Sequence, residues 1–136
     1  MRAEDLSAIG VSLTRAGKPL LFLRVEKDGR VGRLGNGTTD PVRDYVSADA
    51  PPEGFSTVCG LLSAELLARH GRFVLPDRAG DEMLLSIRLT AGRMEQVLEL
   101  TYGADSAPPP HDVQRFVSTA VALTDDWYAA HLPPSA

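Results

Sequence analysis

The stretch Gly29-Arg30-Val31-Gly32-Arg33-Leu34-Gly35-Asn36-Gly37 is where this chain comes closest to a chemical motif. Glycines that let backbone amides approach an anion, beside arginines that neutralise it, are the ingredients of a phosphate cradle. The spacing is neither that of a dinucleotide fingerprint nor that of a P-loop, and no helix follows directly. Turn and strand-end glycines account for the pattern. Arg24, Arg30 and Arg33 then stand as the residues of an alternative small-ligand or anion site. The other reactive side chains are scattered. His70, His111 and His131 have no donor at metal-ligand spacing, so neither a metal nor a cofactor is expected. Ser56, Ser63 and Ser118 lack the setting of a nucleophile elbow. Asp125 and Asp126 precede Trp127 in a helical segment, where neighbours diverge by about 100°. Their carboxylates therefore do not converge as an acid–base pair. Asp125 with Trp127 reads as part of a polar helix face, or as an acid-plus-aromatic recognition patch. With no catalytic motif, the sequence points away from an enzyme.

Composition narrows the remaining classes. The chain has 136 residues, which fits a single domain over 1–136 with a sizeable core. Its only cysteine, Cys59, excludes an intramolecular disulfide and reads as a small core residue. No segment approaches a membrane span, and the acidic start at Met1 to Asp5 adjoins no apolar run of signal length, so a cytoplasmic protein is expected. The net charge of -4 is unevenly spread. Residues 1–43 hold eight Lys/Arg against five Asp/Glu, and residues 44–136 hold six against thirteen. Such polarity suits a protein partner that is acidic where it makes contact, and is compatible with a homodimer. The pI of about 5.3, and basic residues not interleaved with aromatics, argue against nucleic acid.

The elements that must position these residues follow from periodicity. Ser7 to Thr14 alternates small or polar with apolar residues, as a half-buried strand does. Arg15 to Pro19 is turn material, and residues 20–26 form a strand apolar on both faces at its start. An Asp28-Gly29 turn leads to a short third strand over 30–34. Asn36 to Gly54 reads as a long irregular loop, pinned to the body at Tyr45-Val46. Phe55 to His70 reads as one helix, Phe73 to Leu75 as an extended piece, and Met83 to Thr90 with Met94 to Tyr102 as a hairpin. A proline-led helix over about His111 to His131 closes the series, with Val113, Phe116, Val117, Ala120, Leu123 and Trp127 as its apolar stripe. One echo runs through this order. Leu20-Leu21-Phe22-Leu23-Arg24-Val25 with Gly29-Arg30 is repeated as Leu84-Leu85-Ser86-Ile87-Arg88-Leu89 with Gly92-Arg93.

The Thr14 to Gly17 turn, Asp28-Gly29-Arg30-Val31, Gly71-Arg72-Phe73-Val74-Leu75-Pro76 and Asp81 carry a resemblance. In layout the chain resembles a group of small bacterial domains that includes the emfourin-type metalloprotease inhibitors. Those inhibitors typically have an extra glycine pair after the first strand's arginine; Arg15 and Gly17 match this loosely, and Lys18-Pro19 departs from it. The resemblance implies a protein-binding role rather than catalysis.

The expected fold is α+β, in the order β-β-β-α-β-β-α. An antiparallel sheet of four to five strands carries two helices packed on one face. The expected function is a non-enzymatic protein-binding module: an inhibitor, immunity or accessory protein. Arg15, Gly17, Lys18, Asp40 and Tyr45 are its candidate contacts, because exposed connections on a rigid sheet are where binding residues concentrate.

Overall fold

The computed structural model describes residues 2–37, 45–51, 53–76 and 78–132. Asp40 lies outside them. After a single 3-10 turn at Ala3–Asp5 come β1 (Ala8–Arg15), β2 (Lys18–Glu26), β3 (Arg30–Gly35) and β4 (Val46–Asp49). Then follow α1 (Glu53–Cys59), α2 (Ala64–Ala68), β5 (Gly71–Val74), β6 (Glu82–Ala91), β7 (Met94–Gly103) and α3 (His111–His131). The strands form one sheet in the order β4-β3-β2-β1-β6-β7-β5. All neighbours are antiparallel except β5 and β7, which run parallel.

This corrects the expected sheet of four to five antiparallel strands to a seven-stranded mixed one. The two added strands are its edges. β4 sits inside the stretch read as a loop, because four residues of small side chains, Val46-Ser47-Ala48-Asp49, alternate too briefly to stand out. β5 is the expected extended piece, recruited alongside β7. The single helix expected over 55–70 is two. Gly60 interrupts it, and Ser63 starts the second by accepting a hydrogen bond from the Leu66 amide at 3.0 Å.

Period-two alternation decides which face of the sheet is covered. Ile9, Val11 and Leu13 of β1, Leu21, Leu23 and Val25 of β2, and Leu85, Ile87 and Leu89 of β6 point to one side and are buried. Phe55 and Val58 of α1, Leu66 of α2, and Val113, Phe116 and Ala120 of α3 pack against them in one core. On the other side no element covers the sheet among the described residues, and Phe22 and Arg88 are exposed there.

Along α3 the buried set is Val113, Phe116, Ala120, Thr124 and Tyr128. The expected stripe continued instead through Leu123 and Trp127, yet Leu123 is 47% exposed. The C-terminal half of the helix is turned by polar demand: Thr124 and Tyr128 face inward to meet Arg33.

Candidate functional site

Arg33 is the largest fully buried side chain, at 1% exposure. It projects from β3 to the covered side and spends its donors on α3 and on its own strand end. Nε donates to the Gly35 carbonyl at 3.0 Å, and Nη1 to Val121 O and Thr124 Oγ1, each at 3.0 Å. Nη2 meets Asp125 Oδ1 at 2.7 Å. The guanidinium lies over the Tyr128 ring, 4.6 Å from its centroid, and the Tyr128 hydroxyl accepts from the Gly35 amide at 2.9 Å. Each of the three guanidinium nitrogens has an acceptor, so the charge is held where an unpaired one would be costly. Arg33 and Asp125 are therefore a bolt between sheet and helix.

The three arginines of the alternative anion site do not converge. Arg24 and Arg30 lie on the open side of the sheet, and Arg33 on the covered side. Arg30 Nε donates to Ser47 Oγ at 3.1 Å, and Nη1 lies 4.0 Å from Asp49. Trp127 donates from Nε1 to the Asp49 carbonyl at 3.2 Å and stacks on His131, with ring centroids 4.8 Å apart. It also borders an apolar crevice of about 220 Å³ with Val31, Val58 and Leu123.

The expected contacts of the first turn are similarly placed. Arg15 is tied to Asp81 at 2.8 Å, across from the β1–β2 hairpin. Ala16 and Gly17, at φ 49° and 79°, form the two-residue turn itself, and Lys18 is exposed beside it. Tyr45 stands elsewhere. It lies over Gly32 on the open side, 6.0 Å from the Phe22 ring. Any Cβ at Gly32 would collide with the Tyr45 ring, so the glycine is what lets the aromatic lie down there.

The open side holds an arrangement that none of those expectations named. β2 and β6 flank β1, and the repeated arginine of each lands in the same row: Gly10 is paired with Arg24 on one side and Arg88 on the other. In the next row Ser12 lies between Phe22 and Ser86. Small residues on the middle strand, walled by Arg24 and Phe22 of β2 and Arg88 of β6, leave a furrow of about 390 Å³. Arg24 reaches Glu26 at 3.6 Å and Arg88 reaches Glu95 at 2.9 Å, both solvent-exposed pairs. Such pairs hold little energy and exchange partners readily. Two signals for this furrow were present in the sequence: the Leu-Leu-Phe-Leu-Arg/Leu-Leu-Ser-Ile-Arg echo, and the small residues alternating through Ser7 to Thr14.

Among the described residues no His, Cys, Asp or Glu side chains gather into a set that could hold a metal ion. Cys59 is half-buried at the end of α1, and burial pushes its thiol above the ordinary range, with Lys27 opposing. No helix among the described residues is long and apolar enough to cross a membrane. No family model matches the chain, and no curated protein matches it in sequence.

Proposed function

We propose that this chain is a non-enzymatic protein-binding module, an inhibitor, immunity or accessory protein of the cytoplasm, that meets its partner with the open face of its sheet. The observation that carries this reading is the furrow over Gly10. Two guanidiniums stand on either side of it, and the Phe22–Tyr45 pair stands beside it. Chemically the furrow suits an acidic segment with an apolar side chain. Partner carboxylates would displace Glu26 and Glu95 from Arg24 and Arg88, while the aromatic pair supplies desolvated contact area. The layout resemblance to emfourin-type inhibitors points to the same class of role. The small-ligand reading has less support, because Arg33 is committed to α3 and to its own strand end.

The test is affinity capture from the source lysate with three proteins: wild type, Arg24→Glu/Arg88→Glu, and Leu123→Ser on the helical side. A specific protein retained by wild type and Leu123→Ser, and lost by the double variant, is expected. Equal retention by the double variant would place the contact elsewhere. Recovery of no specific protein, together with a thermal shift on adding inorganic phosphate, would favour the anion-binding reading.

A further inference from the structure

β5 ends the sheet, and all four of its residues are exposed. Phe73 and Val74 are 50% and 62% exposed. The other edge is guarded: the Asp49 carbonyl of β4 is taken by the Trp127 indole. Among the described residues no strand lies beyond β5. We propose that β5 pairs with β5 of a second copy of this chain, joining the two sheets into one across a two-fold axis. This inference does not rest on the function proposed above.

The hydrogen-bond pattern makes the edge its own complement. The Leu75 amide donates to the Thr101 carbonyl of β7 at 2.9 Å. Backbone groups alternate along a strand, so Phe73 also faces β7, and Arg72 and Val74 turn their N–H and C=O groups outward. A two-fold axis perpendicular to the sheet keeps open face with open face, so opposed residues must share a face. Three registers remain. Centring on Arg72 sets two like charges directly opposite, which is destabilising. Centring on Val74 sets Arg72 opposite Pro76, which has no N–H to give. Centring on Phe73 avoids both faults. Arg72 then exchanges two hydrogen bonds with Val74 of the other copy, and Val74 two with Arg72. The Phe73 rings meet on the axis as a non-hydrogen-bonded pair, the closer of the two pair types. Each Arg72 keeps its own Glu99, 3.0 Å away on the open side. Gly71, without a side chain, comes opposite Leu75. So short an edge makes a weak and reversible dimer rather than an obligate one.

Sedimentation of the full chain from micromolar to millimolar concentration tests this, with two variants. Val74→Pro deletes an outward N–H that makes no bond to β7. Phe73→Lys puts two like charges on the axis. Wild-type mass is expected to rise from 14.6 kDa towards twice that value. Over the same range amide exchange should slow at Arg72 and Val74, which pair only in the dimer, and stay constant at Phe73. Both variants should remain monomeric, with circular dichroism confirming their fold. If one variant fails to fold, the other decides. Wild type that stays monomeric throughout would overturn the proposal. So would dimers that persist in a folded variant, or whose formation leaves Arg72 and Val74 exchange unchanged, since either would place the contact on another surface or bring in a different occupant.

Discussion

Four side chains with chemical potential, Arg33, Asp125, Arg69 and Asp112, are occupied in holding the molecule together. Arg33 has no exposed atom to offer a ligand and five contacts to α3 and β3. Removing it strands the acceptors it serves, so Arg33→Ala should cost about 3–5 kcal/mol of stability in urea unfolding. Asp125→Ala removes one charge-assisted bond and should cost about 1–3 kcal/mol. A loss under about 0.5 kcal/mol for both would mean that the bolt is not structural. Arg69 and Asp112 clamp α2 to α3 through two hydrogen bonds of 2.8 and 3.1 Å. The Arg69 guanidinium holds the Asp112 carboxyl below its ordinary value, against some burial that raises it. A depressed carboxyl stabilises the fold above its unfolded pKa, and that contribution disappears as pH falls through the folded value. Stability should therefore fall on acidification through and below the ordinary carboxylate range, and Asp112→Asn should blunt that fall. An unchanged acid profile in the variant would remove Asp112 from the account. Cys59, with its thiol pushed up by burial, should alkylate more slowly at neutral pH than an unfolded-chain cysteine, as a thiol-reagent time course would show.

At the scale of elements, the tightest connection is also a strained one. Ala16 at φ 49° sits in the left-handed region that disfavours a Cβ. Ala16→Asn supplies the residue preferred in such a two-residue hairpin, and should raise stability by about 1 kcal/mol. No gain in thermal unfolding would mean that the turn relaxes to another geometry. Phe116, at 2% exposure in the N-terminal half of α3, should cost about 3–5 kcal/mol on truncation to alanine. The strands that carry the core were legible because their alternation is long: Leu98 and Leu100, which share a face, are both buried. The edges were not. β4 and β5 are four residues each, and what makes them strands is a neighbour far away in sequence. The second half of α3 misled for a different reason. Thr124 and Tyr128 are buried because Arg33 needs partners, and no hydropathy pattern on one helix can report a charge arriving from another element.

At the scale of the whole molecule, one layer of helices covers one face of a seven-stranded sheet, and among the described residues no element covers the other. The candidate contacts were drawn from loops, and of the described ones among them only Tyr45 joins the open face. The echo between residues 20–25 and 84–89 was legible as a repeat. Its consequence was not, because it appears only when both copies pair with the same central strand and bring Arg24 and Arg88 to either side of Gly10. The most direct measurement is amide mapping of the isotope-labelled chain as the captured partner is added. Perturbation should centre on Gly10, Ser12, Arg24, Ser86 and Arg88 and weaken as salt is raised. Perturbation confined to the crevice around Leu123 and Trp127, with those five amides unmoved, would contradict the claim that this protein binds through its open sheet face.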